Sequence, residues 1–522
     1  MPDETCMAFD SVAPFNPNTL HRFIVGADPA PRAMSLAEVK ALGDPFASLL
    51  LARGIVPRSG EEVLAKIKAA VPANSPLKQH SSFILGEGSQ LASTVESAAV
   101  DRTLRFVITV GTGPNGPDLM LSVPDPNQPN LIELMAWDRK VGGFNYYRST
   151  GDGAMWMFAG NSRDALRDAS HRKGVFESHR SGAPVMKELK TPWINWHSPA
   201  ANIPDTAFAA NDPRRTHDWF KNKEPGGGLT FEFQAARPAM SRWAKARFAK
   251  LRKSGGTVTR PRRFMEQILD SPAVNLITTH VESKALTPTV QLDLPTTFFV
   301  DSEGLSDILG LVAPPAFTVT GRIYAKCLEK FNVRMDDGDG FRIKGDTHFC
   351  FLVPERGFED QVVLREVVEM GLVSRRLAAC LLMVDPWNPI FSDRRSALLR
   401  HVPVTATITN GKSTFSRDLA KTILAAAKIA PAGTPEKEFA TRWNTGTGFA
   451  AAFNKLLTGY YGAVAAKLKT QTGFEAYFRL AEHRRQEFRD RTRLAEFPLL
   501  LPHTNIPAAK RRMKQDGSVA GG

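Results

Sequence analysis

The chain has 522 residues, of which 43% are apolar and 23% charged, and its net charge is +14. This composition is typical of a globular protein with two or three domains, and it excludes a fibrous or largely disordered chain. The longest apolar stretches, such as 377–384, fall well short of the roughly 18 residues of a transmembrane helix. The N-terminus has no basic start followed by an apolar run, as a secretory signal would. We therefore expect a cytoplasmic protein without a membrane span.

The pattern of apolar residues predicts an α+β fold that begins with a short helical segment. Residues 1–100 are predicted as this helical lead-in, with Ser35 and Ser59 as N-cap residues. Glu62 follows Ser59 at the spacing of a capping box. Residues 101–230 contain short segments rich in β-branched and aromatic residues, separated by glycine, proline and aspartate. These segments predict consecutive strands of a mostly antiparallel sheet, the β-rich central body, with helical insertions.

The second half of the chain changes from strands to helices. Residues 231–357 are predicted to hold a basic helix followed by a second β-rich region. Residues 358–497 form the predicted helical C-terminal region, because their apolar residues recur at three- and four-residue spacing. Residues 498–522 are predicted as a basic, flexible tail, because the terminal KRRMKQDGSVAGG cannot bury enough apolar surface to fold.

Two glycine motifs resemble nucleotide-binding loops only in part. Gly111, Gly113 and Gly116 match G-x-G-x-x-G, but prolines interrupt the loop and a strand-like segment follows where a helix is required. We predict a hairpin loop there. The Gly411-Lys412-Ser413 sequence lacks the earlier glycine of a P-loop. The sequence therefore supports no motif for NAD, FAD or ATP.

Aromatic and histidine residues are concentrated between residues 130 and 220. This stretch holds five of the eight tryptophans and four of the eleven histidines. Strand alternation in GFNYYRS predicts that Tyr146 and Arg148 face one side and that Asn145 and Tyr147 face the other. The segment PWINWHSP, if it forms one helical turn, places two tryptophans and a histidine on one face.

These residues predict a pocket for a small, anionic substrate. The predicted catalytic residues are His197 and His179 as acids, bases or metal ligands, Glu188 to orient a histidine, and Arg148 to hold the substrate's charge. The predicted substrate-binding residues are Tyr146, Trp193, Asn195 and Trp196. The alternative interpretation is a packed core in which Arg148 forms an ordinary ion pair.

A separate metal site is predicted further along the chain. His280 and Glu282 lie two residues apart on a predicted strand, and His348 lies on another. Two histidines and one carboxylate form the ligand set of non-haem iron oxygenases. Arg356 follows and could hold the carboxylate of a co-substrate.

The sequence thus predicts an enzyme, with an oxidoreductase favoured over a hydrolase. Iron and haem are the cofactor candidates, because aromatic and histidine density suits bound cofactors. The alternative is a non-catalytic basic protein that binds nucleic acid or another polyanion. Its basic helix would contact phosphates through Arg242, Lys245, Arg247 and Lys250, with Trp243 and Phe248 available for stacking and the basic tail adding charge.

Overall fold

The computed structural model places the chain in two compact units, residues 1–247 and residues 248–522. Helices and strands are both abundant, which confirms the predicted α+β class. The described residues are 16–87, 93–95, 98, 103–128, 131–150, 155–184, 193–194, 203–253, 257–279, 286–336, 342–344, 351–409, 412–492 and 501–521.

Unit 1 is built on an eight-stranded sheet with the order β2-β1-β8-β7-β6-β5-β4-β3. Its strands are β1 (Leu20–Arg22), β2 (Arg32–Ala33), β3 (His80–Glu87), β4 (Thr103–Val110), β5 (Leu119–Val123), β6 (Glu133–Asp138), β7 (Gly143–Ser149) and β8 (Trp156–Asn161). All neighbours pair antiparallel except β1 and β8. The prediction of consecutive antiparallel strands after residue 101 is therefore confirmed. A further short strand, β9 (Trp193–Ile194), follows in the chain.

The glycine-rich loop at residues 111–118 connects β4 to β5 as a hairpin, as predicted. Gly116 N donates to Gly113 O at 2.8 Å, and Asp118 N donates to Val110 O at 3.0 Å. Gly111 and Gly116 have φ values of 68° and 79°. Both values lie in the left-handed region that glycine adopts without a steric penalty.

Helices cover both faces of the unit 1 sheet. The helices of this part of the chain are α1 (Leu36–Ala41), α2 (Pro45–Leu49), α3 (Gly60–Ala70), α4 (Asp218–Lys221), α5 (Gly227–Phe231) and α6 (Arg237–Lys253). On one face, Phe46 of α2 packs against Tyr147 and Trp156. On the other, Phe231 of α5 packs against Phe83 of β3. All residues of β5 are buried, as expected of a strand covered on both sides.

The segment 1–100, predicted as a helical lead-in, supplies α1–α3 and also the sheet strands β1–β3. Both predicted N-cap serines are confirmed. Ser59 Oγ accepts from Glu62 N at 3.1 Å, but the Glu62 carboxylate accepts from Arg58 N instead of completing a box. The full capping box lies at Ser35, whose amide and hydroxyl both pair with Glu38.

Unit 2 combines helices with short strands around one large apolar core. Its helices are α7 (Arg262–Leu269), α8 (Gly321–Lys330), α9 (Phe358–Glu369), α10 (Arg375–Leu382), α11 (Asp393–Ser396), α12 (Phe415–Ile429), α13 (Pro435–Trp443), α14 (Phe449–Leu468) and α15 (Gln471–Thr492). Its strands are β10 (Thr257–Thr259), β11 (Val274–Ile277), β12 (Gln291–Leu294), β13 (Phe317–Thr320), β14 (Arg334–Asp336), β15 (Arg342–Lys344), β16 (Val353–Arg356), β17 (Thr405–Thr409), β18 (Lys412–Ser413), β19 (Pro502–His503), β20 (Arg511–Met513) and β21 (Val519–Gly521). The run of α9–α15 agrees with the predicted helical region.

The predicted flexible tail at 498–522 is wrong for residues 501–521. There, β20 and β21 form a hairpin. Met513 is buried in the unit 2 core, and its amide donates to Asn388 Oδ1 at 3.0 Å. Arg512 forms an ion pair with Glu487 at 3.1 Å. The basic residues that suggested disorder are thus partly neutralised by acidic neighbours, while the few apolar ones reach the core.

Asp44 links helix α2 to the sheet of unit 1. Its carboxylate caps the helix by accepting from Ala47 N at 3.0 Å, and it also accepts from the Tyr147 hydroxyl at 2.5 Å and Asn145 Nδ2 at 2.7 Å. Asn145 Nδ2 donates as well to Asp138 Oδ2 at 2.9 Å. Burial raises the pKa of Asp44, because the carboxylate has lost its contact with water. The hydrogen bonds from the protein replace those that water would otherwise supply.

We expect Tyr147→Phe to lower the free energy of unfolding by about 2 kcal/mol, since it removes a buried hydrogen bond to a carboxylate. The control is Tyr146→Phe. Its hydroxyl donates to the neutral Gly182 carbonyl at 2.8 Å, so we expect a loss of only about 1 kcal/mol. Urea denaturation of both variants measures the difference. An equal or larger loss in Tyr146→Phe would contradict the role assigned to Asp44.

Candidate active site in unit 1

A row of polar side chains crosses one face of the sheet. The strand register pairs Ser122 of β5 with Glu133 of β6, and Glu133 with Arg148 of β7. Directly paired residues place their side chains on the same face. Arg148 Nε lies 3.7 Å from Glu133 Oε1, an ion pair with little solvent exposure.

Tyr146 lies two residues before Arg148 on the same face, as the alternation of GFNYYRS predicts. Its hydroxyl donates to the carbonyl of Gly182, with that of Ala183 also within 3.2 Å. Its ring packs edge-on against Phe176. These contacts hold residues 176–183 against the sheet directly beside Arg148. Asn145 and Tyr147 point to the opposite face, where they bond Asp44.

His179 lies in this covering segment and faces Tyr146, with ring centroids 4.6 Å apart. Its Nδ1 lies 3.1 Å from the carbonyl oxygen of Ala183. Because a carbonyl can only accept, Nδ1 carries the proton and Nε2 is the basic nitrogen. Burial lowers the pKa of His179 to about 4. The imidazole is therefore neutral at pH 7.

A cavity of about 30 Å³ lies between the polar row and the covering segment. Its sheet side is formed by Ser122, Glu133, Leu134, Met135, Tyr146, Tyr147 and Arg148, and its other side by Val175, Ser178 and His179. A water molecule needs roughly 10–15 Å³ by such a measure. This space suits about two oxygen-sized atoms, with charged and neutral hydrogen-bonding groups beside them.

The structure brings together Arg148, Tyr146 and His179, three of the residues predicted for this site. Glu188, Asn195, Trp196 and His197 lie outside the described residues, and so does the side chain of Trp193 in β9. The predicted metal ligands His280, Glu282 and His348 also lie outside the described residues. Their roles stay predictions.

Three residues beside the cavity were missed in the sequence. Ser122 and Glu133 line it, and Arg105 of β4 lies on the same face of the sheet. Burial is the main cause that lowers the Arg105 pKa to about 10. Glu133 opposes that shift and Arg148 adds to it. The strand alternation indicated which face each residue occupies, but not which residues lie opposite each other.

Among the described side chains, no group of three histidines, cysteines, aspartates or glutamates lies close enough to hold a metal ion. None of the described helices is long and apolar enough to cross a membrane.

Arg356 is part of a buried ion pair in unit 2. Its Nη1 donates to Asp301 Oδ2 at 2.6 Å and its Nε to Ser271 Oγ at 2.9 Å. Asp301 in turn accepts from Gln361 Nε2 at 2.7 Å. The predicted role of Arg356 in holding a co-substrate carboxylate is not supported, because a protein carboxylate already occupies its guanidinium.

The basic helix α6 differs from the predicted phosphate-binding face. Trp243 and Phe248 are buried, so neither can stack on a base. Arg242 donates to Asp118 Oδ1 at 3.0 Å and lies 4.2 Å over the Trp137 ring. Arg247 is buried, while Lys245 is exposed and the side chain of Lys250 lies outside the described residues. The sequence overestimated the positive charge that this helix can offer to phosphates, because a sequence does not show which cations already have partners in the fold.

No protein-family model matches the chain, and neither a curated protein nor a solved structure shows significant similarity to it. Any functional assignment therefore depends on the chemistry of the residues themselves.

The low pKa of His179 predicts a specific pH dependence of stability. An unfolded histidine has a pKa near 6.5, so between pH 6.5 and 4 the unfolded chain binds more protons at this residue. The free energy of unfolding should therefore fall as the pH decreases through this range, by at most about 3 kcal/mol from this residue. In His179→Gln, urea denaturation should show a flatter curve against pH, and the control Ser178→Ala should parallel the wild type. Parallel curves for all three proteins would contradict the buried neutral imidazole.

The contacts of Arg242 predict that this residue serves stability. We expect Arg242→Gln to cost about 1 kcal/mol or more, because it removes a shielded ion pair and a cation–π contact. The affinity of the Arg242→Gln variant for a DNA duplex at low salt, measured by fluorescence anisotropy, should match that of the wild type. The exposed Lys245, replaced by glutamine, is the control for a loss of surface charge. Weaker, less salt-dependent binding by Arg242→Gln with unchanged stability would instead favour the nucleic-acid alternative.

Proposed function

We propose that unit 1 is an enzymatic unit whose active site is the cavity between the polar row and His179. The observation that carries the proposal is the convergence of Arg148, Tyr146 and His179 on one cavity. The substrate is a small molecule with a negative charge. Arg148 attracts that charge, His179 transfers a proton, and Tyr146 holds the covering segment in place.

The charges around the cavity support an anionic substrate. The guanidiniums of Arg105 and Arg148 both interact with the carboxylate of Glu133. The 3.7 Å separation of Arg148 and Glu133 exceeds the roughly 2.8 Å of a direct charge-assisted hydrogen bond. A substrate anion in the cavity would lie beside this guanidinium and interact with its positive charge.

The protonation state of His179 supports a role as proton acceptor. Its Nδ1–H is fixed by Ala183, which leaves Nε2 as the nitrogen that can take up a proton. A pKa of about 4 makes the imidazole a weak base before substrate binds. A bound anion would raise that pKa, because an opposite charge nearby favours the imidazolium. Proton transfer is thereby coupled to occupation of the site.

We also propose, as the reaction class, an oxidoreductase assisted by iron or haem. This part is carried by the aromatic and histidine density between residues 130 and 220, and the predicted ligands are His197, His280, Glu282 and His348. Metal analysis and an absorption spectrum of the purified protein test it. Stoichiometric iron or a haem band is the expected result. A colourless, metal-free protein would restrict the proposal to proton-transfer chemistry at His179.

The role of His179 is tested by screening turnover of small carboxylic and phosphorylated compounds. For any compound turned over, His179→Gln should lower kcat by about 100-fold or more, as expected for a lost general base. The control is His171→Gln, since His171 also places Nδ1 near a carbonyl, that of Ala165 at 2.8 Å, but does not line the cavity. Equal activity in both variants would remove His179 from the mechanism.

A further inference from the structure

The hydroxyl of Ser122 is a buried polar group without a protein partner. Ser122 has 2% of its surface exposed, and within the described residues its Oγ has no hydrogen-bond partner. Buried hydroxyls are usually bonded, because leaving one unsatisfied costs about 1–3 kcal/mol. Ser122 also lines the cavity. The unsatisfied hydroxyl therefore borders a space that a ligand atom can enter.

Ser122 lies in the same row of the sheet as Glu133 and Arg148. It pairs with Glu133, which pairs with Arg148, so the three side chains span β5, β6 and β7 on one face. Ser122 and Arg148 flank the cavity from opposite ends of this row. Two donors of different charge thus border a space that holds about two oxygen-sized atoms.

We infer that the cavity binds the carboxylate group of its substrate, with the Ser122 hydroxyl donating to one oxygen and the Arg148 guanidinium to the other. This inference rests on the proposed function and specifies its substrate class. A planar carboxylate presents two oxygens, one for each of these two donors, whereas a phosphate presents four. Met135 and Val175 provide apolar walls for the attached carbon. Ser122 is thus a substrate-binding residue that the sequence did not indicate.

Titration with formate tests the inference on the full chain, with binding followed by NMR of ¹³C-formate. We expect wild-type protein to bind formate. Its affinity for phosphate should be lower, and so should its affinity for formamide, which is the uncharged analogue of the same shape. Ser122→Ala should weaken formate binding about tenfold or more, as for a lost hydrogen bond to a charged group. Its thermal midpoint should not fall, since the hydroxyl has no partner to lose.

The matched control is Ser181→Ala. Ser181 is also buried, and its Oγ also has no partner within the described residues, but it does not line the cavity. Its formate affinity should equal that of the wild type. Unchanged affinity in Ser122→Ala, or equal losses in both serine variants, would overturn the inference.

A second variant separates this inference from the proposed function. Arg148→Met should abolish the binding of any small anion at this site. If phosphate or nitrate binds in an Arg148-dependent manner and formate does not, the carboxylate inference is wrong and the anionic site remains. If no anion responds to Arg148→Met, the inference and the proposed function both fail.

Discussion

The register of β5, β6 and β7 is the constraint on which the candidate site depends. It sets Ser122, Glu133 and Arg148 in one row. A shift by one residue would turn each of these side chains to the opposite face. Such a shift would place a guanidinium beneath helix α2 and bring Asn145 and Tyr147 under His179. The site therefore exists only because the pairing is fixed along the whole strand.

The opposite face of β7 supplies much of that fixation. Tyr147 and Asn145 both bond the Asp44 carboxylate, which also caps α2, so strand and helix share one buried anion. Removing either partner would leave buried polar groups unsatisfied, which costs more than the net value of one hydrogen bond. A structural network on one face thus secures the position of Arg148 and Tyr146 on the other.

The sequence predicted local features better than it predicted partners. Alternation in GFNYYRS predicted the faces of Tyr146 and Arg148, and the prolines and the following strand-like segment predicted the hairpin at residues 111–118. The sequence did not predict that Ser122 pairs with Glu133, because strand register depends on contacts between residues that are distant in the chain. The same limit explains the basic regions. Arg242 and Arg512 add charge to the sequence, but Asp118 and Glu487 neutralise them through pairings that composition does not show.

The proposed proton transfer requires a neutral imidazole at His179, with its proton on Nδ1, facing the polar row. ¹⁵N NMR of the protein labelled at histidine, with the His179 signals assigned by their loss in a His179 variant, measures this state directly. At pH 7 we expect a protonated Nδ1 and an unprotonated Nε2 that takes up a proton only near pH 4. An imidazolium at pH 7, or a proton on Nε2, would contradict the proposed proton transfer, since His179 could then not accept a proton from a bound substrate.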